Sequence, residues 1–314
     1  KDSLIELGYV TGSVYKTENI ALVEHPYTFG GIGAIIQVTD EESFFGNVTI
    51  RRISGEVPPS FNASHAMKRW YTVYPTGKFS TATMKFFFDK NRERNGQSDS
   101  DLKLWQSSNN GISWKRITES INDSNTNFVS INGLDSVASW AFSSRTGRSP
   151  SSTNALWDDP SVWSPGGVPT QVDSIFIPSG TTMTIPAGVN VNIGSVNNLG
   201  MLNLSAGDTI HIYGNWYNTG TFIAETGSTV SFENDNQKID YAKFSNLVLQ
   251  GSGVKTAIDS FTVQNSFVIN GVNFNDGGNV IRLSGNLSLA SSYTSTCTVV
   301  FDGNTQLSGT GSLN

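Results

Sequence analysis

One acidic loop holds the residues whose types and spacing best suit metal binding. Between residues 89 and 101, Asp89, Asn91, Asp99 and Asp101 place oxygen-bearing side chains at short intervals. Calcium takes about six to eight oxygen ligands, so this loop predicts a candidate Ca²⁺ site. Three basic residues in the same loop oppose cation binding, and Arg94 stands where an EF-hand loop requires glycine. A solvated hairpin loop is the competing interpretation, and no other metal site is expected.

A second set of acidic residues lies in the C-terminal half. Glu233 and Asp235 follow one predicted strand, and Asp302 follows another, 69 residues after Glu233. Enzymes that cleave glycosides use two carboxylates on one face, about 5–10 Å apart. Coiling of the chain at this period would stack Glu233 over Asp302 and predict such a pair. Their Asn-rich surroundings are equally typical of solvated turns, and no residue is assigned as catalytic.

The sequence lacks the residue patterns that zinc sites, nucleotide cofactors and disulfides require. His25, His65 and His211 lie far apart in the sequence and near no Cys or acidic pair at ligand spacing, which argues against a zinc site. The sequence contains no nucleophile elbow, P-loop or dinucleotide fingerprint, so no cofactor is expected. The single Cys297 cannot form an internal disulfide and is predicted to be a small buried residue in a strand.

Charge and hydropathy argue against two classes of partner. Residues 1–149 carry 16 basic and 15 acidic side chains, and residues 150–314 carry 4 and 11. Neither half therefore has the basic surface that nucleic-acid binding requires. The longest apolar runs, such as residues 33–36, are far too short to cross a bilayer. We expect no nucleic-acid partner and no membrane span in this chain.

Composition favours an all-β fold. Asn, Ser, Thr and Gly make up 131 of the 314 residues, whereas Ala, Glu and Lys make up 35, so long helices would lack their best formers. Short runs rich in β-branched and aromatic residues alternate with turn residues before residue 143 and predict a β-sandwich over residues 1–142. Trp70, Trp105, Trp114 and Trp140 fall in predicted strands and are expected in one core. The predicted strands are Gly33–Asp40, Asn47–Ile53, Met67–Tyr74, Ala82–Asp89, Leu102–Ser107, Ser113–Ile117, Phe128–Ile131 and Ser139–Phe142.

Two connecting segments follow the predicted sandwich. Residues 143–156 contain mainly small polar residues with Pro and Gly and are predicted to be a surface linker. Residues 157–171 combine Trp157 and Trp163 with three prolines and two glycines. We interpret this segment as a rigid cap over the open end of a following β domain. A surface pair of tryptophans that stacks on sugar is the alternative.

An internal repeat predicts a parallel β-helix over residues 172–314. Residues 208–216 align with residues 279–287 at an offset of 71, and residues 229–237 align with residues 298–306 at an offset of 69. Three turns of about 23 residues fit this offset, which gives roughly six turns in all. The alignment predicts that Phe232 and Phe301 both point inward, as do Ile212 and Leu283. A jelly-roll sandwich is the structural alternative.

The motifs resemble segments of large Bacteroidota cell-surface proteins. Both predicted domains contribute to the resemblance, through residues 157–169, 173–180, 47–55, 68–71, 82–89 and 8–14. The last of these looks like the end of a preceding β-helical segment, so residues 1–20 are interpreted either as part of the sandwich or as that tail. The resemblance implies export by the type IX secretion system, contact with secretion or outer-membrane machinery, and an adhesin-like role. We also expect the chain to be an interior piece of a longer protein.

The sequence therefore favours a non-catalytic structural and adhesive module of a secreted cell-surface protein. In this interpretation the sandwich is a spacer and a truncated β-helix is a stalk for surface attachment or gliding-type adhesion. The alternative is a region of a secreted enzyme that binds carbohydrate or cleaves polysaccharide. Surface polysaccharide is a candidate partner, and the sequence does not identify the ligand.

Overall fold

The fold comprises two compact units. The structure, a computed structural model, describes residues 9–21, 24–39, 46–77, 81–134, 138–291, 293–294 and 299–312. One unit contains Lys1–Thr146 with Ser164–Gly167, and the other contains Gly147–Trp163 with Val168–Asn314. Cys297 lies outside the described residues, so its predicted burial is not observed. Among the described residues, no helix is long and apolar enough to cross a membrane.

The first unit consists of two antiparallel sheets. Its strands are β1 (Gly12–Ile20), β2 (Pro26–Thr28), β3 (Ala34–Val38), β4 (Gly46–Ser54), β5 (Arg69–Pro75), β6 (Ala82–Phe87), β7 (Lys103–Ser107), β8 (Lys115–Ile117), β9 (Ile121–Asp123), β10 (Phe128–Leu134) and β11 (Ser139–Ser143), with a 3-10 turn at Gly30–Ile32. Sheet 1 has the order β1-β4-β5-β11-β7-β8, and sheet 2 has the order β2-β3-β6-β10-β9. Inward residues of both sheets, such as Val48 and Met84, form one buried cluster, which is the arrangement of a β-sandwich.

Two predictions for this unit need correction. Strand β1 pairs antiparallel with β4 from Gly12 to Ile20, so these residues belong to the sandwich and are not the tail of another β-helix. The tryptophans do not share one core. Trp140 lies in the large cluster between the sheets, whereas Trp105 and Trp114 form a separate cluster, against which the half-buried Trp70 packs.

The second unit is a parallel β-solenoid. Its strands are β12 (Gly147–Pro150), β13 (Asn154–Leu156), β14 (Trp163–Ser164), β15 (Ser174–Ile177), β16 (Thr182–Ile185), β17 (Val191–Ile193), β18 (Val196–Asn198), β19 (Met201–Leu204), β20 (Thr209–Ile212), β21 (Trp216–Asn218), β22 (Thr221–Ala224), β23 (Thr229–Phe232), β24 (Gln237–Ile239), β25 (Lys243–Leu249), β26 (Val254–Ala257), β27 (Phe261–Ile269), β28 (Asn273–Asn275), β29 (Ile281–Leu283), β30 (Asn286–Leu289), β31 (Tyr293–Thr294), β32 (Val299–Phe301) and β33 (Leu307–Gly309), with a 3-10 turn at Pro160–Val162.

Three parallel sheets enclose the solenoid core. Sheet 3 has the order β14-β12-β15-β18-β21-β24-β26-β28-β31, and sheet 4 has the order β13-β16-β19-β22. Sheet 5 has the order β17-β20-β23-β25-β27-β29-β32, with β30 joined to β27 and β33 joined to β30. Alternate residues of each strand point inward, and one continuous apolar cluster runs from Ala155 to Tyr293. The parallel β-helix is therefore confirmed, with about six turns.

The turn length differs from the prediction. One column of residues in sheet 5 shows the spacing between successive turns. Its paired residues lie 19, 20, 17, 20, 20 and 20 positions apart in the sequence, and they are, in order, Ile193, Ile212, Phe232, Leu249, Ile269, Leu289 and Gly309. The period is thus close to 20 residues, not 23. Ile212 and Leu283 are both buried as predicted, whereas Phe301 is 41% exposed and does not match the buried Phe232.

The predicted linker is the first turn of the solenoid. Strand β12 pairs parallel with β15, and β13 pairs parallel with β16, so residues 147–156 belong to the folded core unit. The sequence did not predict these strands because they are short and because β12 carries polar residues, Arg148 and Ser149, at buried positions. Trp157 and Trp163 are each 2% exposed and belong to the solenoid core. Trp163 Nε1 donates to the Trp157 carbonyl oxygen at 2.9 Å, so the alternative of an exposed pair for sugar stacking is wrong.

Candidate functional site

A polar cluster lies on the outer face of sheet 5. His211 on β20 and Glu233, directly after β23, occupy adjacent strands, and His211 Nδ1 lies 2.5 Å from Glu233 Oε1. The second carboxylate oxygen, Oε2, accepts a hydrogen bond from Gln250 Nε2 at 2.8 Å. The His211 side chain is 34% exposed and the Glu233 side chain 15% exposed. Parallel strands at a spacing of about 4.8 Å bring these side chains together.

Hydrogen bonds hold Glu233 in its ionised form. Burial acts to raise the pKa of Glu233, but hydrogen bonds from His211, Ser231 and Gln250 outweigh it, so the pKa lies below its ordinary value. The ionised carboxylate accepts hydrogen bonds only, so the imidazole of His211 must carry a proton on Nδ1. A carboxylate clamped in this way is a poor general acid, because it gives up its proton too readily.

The structure does not bring the predicted acidic set together. Glu233 follows β23 and Asp302 follows β32, four strands further along sheet 5, and Asp302 Oδ1 accepts a hydrogen bond from Ser284 at 2.9 Å. Asp235 lies in the exposed turn after Glu233, where its backbone oxygen accepts a hydrogen bond from Lys255. The prediction that Glu233 stacks over Asp302 is wrong, because it used a repeat of three long turns.

Lys255 is a buried cation beside this turn. Its Nζ donates to the backbone oxygens of Asn234, Asp235 at 2.9 Å and Ser252 at 3.0 Å, and the residue has no exposed surface. Burial lowers the pKa of Lys255 to about 8, although the charges of Asp235 and Glu233 act in the opposite direction. Sequence analysis missed this residue, since an isolated lysine in an alternating strand gives no signal of burial.

An open groove borders the first strand of sheet 5. It has a volume of about 500 Å³ and is lined by residues 168–171, residues 189–192 and Trp157. Strands β15, β16 and β17 form one turn. Sheet 4 has one strand before this turn, β13, and sheet 3 has two, β12 and β14, whereas sheet 5 has none among the described residues. Asn192 on β17 pairs in register with His211, which places the groove next to the polar cluster.

The predicted calcium residues are engaged with the protein's own donors. Asp89 Oδ1 accepts hydrogen bonds from the backbone N–H of Asn91 at 2.9 Å and of Arg92 at 3.2 Å. Asp101 Oδ2 accepts one from the Ser98 hydroxyl at 2.7 Å, and Asp99 Oδ1 lies 3.4 Å from Arg94 Nε. In the described part of the chain, no group of three or more His, Cys, Asp or Glu residues is placed to hold a metal ion.

The same loop instead positions a buried ion pair of the sandwich. The Asp89 carbonyl oxygen accepts a hydrogen bond from the Glu93 N–H at 2.9 Å, and Glu93 Oε2 accepts one from the Asp89 N–H at 2.9 Å. This turn places the Glu93 carboxylate against the guanidinium of Arg69, where both side chains are fully buried. The acidic spacing of the loop therefore has a structural explanation that does not require calcium.

Comparisons with protein-family models, with curated proteins and with solved structures find no match to this chain.

Proposed function

We propose that this chain is a non-catalytic structural and adhesive module of a secreted bacterial cell-surface protein, in which the solenoid makes contact with a surface. The observation that carries the proposal is the outer face of sheet 5. Two columns of outward residues there contain no Asp, Glu, Lys or Arg. They are Asn192, His211, Ser231, Val248, Val268, Ser288 and Ser308 in one column, and Thr209, Thr229, Asn246, Ser266 and Asn286 in the other.

Such a face suits broad contact better than chemistry. Its short side chains repeat at the strand spacing of about 4.8 Å and form a regular, flat array. Uncharged groups lose less hydration free energy than ions when a partner covers them. The two columns fit an uncharged polymer or solid. The ionised Glu233 beside them is engaged by His211 and Gln250.

The acidic residues of the solenoid also support a structural role. Several accept hydrogen bonds from the backbone at turns: Asp208 from the N–H of Gly188, Asp240 from that of Asn218, and Asp276 from that of Gly278. These contacts close the corners between successive strands. The resemblance of the sequence to Bacteroidota surface proteins supports secretion, export through type IX machinery and a cell-surface location.

The experiment measures attachment and cleavage together. Beads coated with the purified chain are placed under flow on cellulose, chitin, agarose and bare glass, with albumin-coated beads as the blank. We expect retention above the blank on at least one surface. Retention should fall several-fold in the variant Val248→Lys/Val268→Lys, which places two charges on adjacent strands in the first of the two uncharged columns.

A matched variant controls for charge alone. Thr256 is a half-buried outward residue of β26 on sheet 3, so Thr256→Lys adds charge to a different face and should leave retention unchanged. No retention above the blank on any of the four surfaces would overturn the adhesive proposal. Release of sugar ends from the soluble forms of these polysaccharides, abolished by Glu233→Gln, would instead establish the enzymatic alternative.

A further inference from the structure

We infer that the groove beside β17 binds a neutral oligosaccharide; this inference rests on the proposed adhesive function and names the ligand class that the solenoid takes at its first turn. The groove lies within one unit of the fold, between residues 168–171 and residues 189–192. Its volume of about 500 Å³ lies within the range of small-ligand sites, about 300–1,000 Å³.

The groove has no charge to offer a ligand. Its lining residues include no Asp, Glu, Lys, Arg or His. Asp173 and Arg148 of the same segment are paired with each other at 3.1 Å and almost fully buried. Glu233 of the neighbouring polar cluster is engaged by His211 and Gln250. An anionic or cationic ligand would lose its hydration there without gaining an ion pair, so the groove favours an uncharged one.

Amide side chains supply the polar contacts. Gln171, Asn190 and Asn192 are exposed beside the groove. The side chains of Gln171 and Asn190 make no hydrogen bond to another residue in the part of the chain that the structure describes, and Asn192 Oδ1 accepts only a long contact, 3.4 Å, from the Tyr213 hydroxyl. An amide both donates and accepts, which matches a sugar hydroxyl, because that group also does both.

Apolar surface supplies the remainder of the site. Val168 is 37% exposed, and Pro169 and Val189 line the groove beside it. Sugar rings present patches of C–H groups between their hydroxyls. Packing such a patch against an aliphatic side chain removes apolar surface from water, which favours binding. The groove thus combines amide and aliphatic groups, which suits a short neutral glycan.

An extended peptide is the competing occupant. The outer edge of β17 has no strand partner among the described residues, and such an edge can accept an added strand. Backbone pairing of this kind would use the N–H and C=O groups of β17 and would not depend on the amide side chains. The amide side chains therefore distinguish the two occupants.

The test is calorimetric titration of the purified chain with cellohexaose, xylohexaose, mannohexaose and maltohexaose, with hexagalacturonate as the charged probe and an alternating Val-Thr octapeptide as the peptide probe. We expect at least one neutral hexasaccharide to bind and hexagalacturonate to bind at least ten-fold more weakly. Gln171→Ala and Asn190→Ala should each weaken the neutral ligand several-fold, and the double variant should weaken it at least ten-fold. Asn197→Ala removes an exposed amide from the outer face of β18 and should leave binding unchanged.

Each outcome decides the inference. Failure of every neutral hexasaccharide to bind overturns it, as does binding that survives the double variant, or binding of the octapeptide alone. If bead attachment persists in the double variant while oligosaccharide binding is lost, both proposals are supported. The groove then binds the oligosaccharide, and the uncharged columns of sheet 5 mediate attachment. Bead attachment without any oligosaccharide binding overturns the groove inference alone, whereas absence of attachment overturns the proposed function.

Discussion

Arg69 Nε lies 2.6 Å from Glu93 Oε2, and neither side chain has any exposed surface. Arg69 Nη1 also donates to the Phe87 carbonyl oxygen at 3.2 Å, and the hydroxyl of Tyr71 donates to the same oxygen at 2.6 Å. The pair thus ties β5 to the end of β6 and to the 89–101 loop. Its charges compensate each other in a site that water does not reach.

Glu93→Gln should strongly destabilise the sandwich. The variant leaves the guanidinium buried without its counter-charge, and breaking a buried pair in this way costs about 3–5 kcal/mol. The free energy of unfolding, measured by urea titration with tryptophan fluorescence, reports this loss. Asp101→Asn changes an exposed acid of the same loop and should stay within about 0.5 kcal/mol. A loss below about 1 kcal/mol in Glu93→Gln would contradict the assigned role.

Lys255→Met should destabilise the solenoid at neutral pH. The substitution keeps most of the side-chain volume but leaves the carbonyl oxygens of Asn234, Asp235 and Ser252 without their donor. Fully buried acceptors without partners cost about 1–3 kcal/mol, and these carbonyls are part-buried, so we expect a loss of about 1 kcal/mol. Urea unfolding at pH 7 measures the difference. Lys238→Met, at an exposed lysine of β24, is the matched control and should have little effect.

Lys255 also predicts a pH dependence with a definite sign. Its pKa in the fold is about 8, below the ordinary value of 10.5, so between these values the unfolded chain binds more protons than the folded one. Stability contributed by this lysine therefore rises as pH increases from about 8 to about 10.5. The difference in unfolding free energy between the wild type and Lys255→Met should increase over this window. A difference that falls or stays constant would show that the ammonium is not desolvated.

Gly285→Ala should disrupt the contact between successive turns. A Cβ at this position would lie 1.9 Å from the backbone oxygen of Asn265 on the preceding turn, closer than any real contact. Since the backbone of a packed solenoid must shift to relieve it, we expect a loss of about 1–3 kcal/mol or more. Gly147→Ala is the control, because its nearest contact would be 3.4 Å. Equal unfolding midpoints of the two variants would contradict the close approach.

Part of the fold was predictable because its strands alternate clearly. All eight strands predicted in the sandwich are present within a few residues. Strand β6, for example, buries Ala82, Met84 and Phe86 while Thr83 and Lys85 between them are partly exposed. Most strands of sheet 3 were not predicted, because some of their inward positions are polar. Asn198 and Asn218 are buried and joined by one hydrogen bond, with Asn198 Nδ2 donating to Asn218 Oδ1 at 2.8 Å.

A recurrence of glycines in the sequence indicates the 20-residue turn, but this pattern is weaker than the alignment at an offset of 71. Gly194 and Gly200 recur 20 residues later as Gly214 and Gly220, and each of the later glycines lies where a Cβ would meet the backbone of the earlier one. The alignment at an offset of 71 instead matched Asn215, which precedes a strand of sheet 3, to Asn286, which begins a strand of sheet 5. Similar turn sequences therefore occur at different corners of the solenoid, and the alignment matched residues from two different sheets.

The groove could not be predicted from the sequence. It lies where sheet 5 starts later along the coil than sheets 3 and 4, and the order of strands in a sheet is a property of the assembled fold. The His211–Glu233 contact depends in the same way on the register of β20 with β23. Glu233 itself was singled out by its residue type, but the partner proposed for it was the wrong residue.

Glu233→Gln should weaken the solenoid at neutral pH and have less effect in acid. The pKa of Glu233 in the fold lies below its ordinary value of 4.5, so the contribution of the carboxylate is complete above that value and is lost as pH falls through the lower, folded-state pKa. Replacement by an amide removes the negative charge that His211 and Gln250 contact, and charge-assisted hydrogen bonds of this kind are worth about 1.5–3 kcal/mol each before solvent screening reduces the value. Urea unfolding should show the same difference from the wild type at pH 7 and pH 5 and a smaller difference at pH 3. Glu225→Gln, at an exposed glutamate after β22, should show no comparable trend. A difference that grows toward acid pH would mean that Glu233 is protonated in the fold, which would reopen a role for it as a general acid.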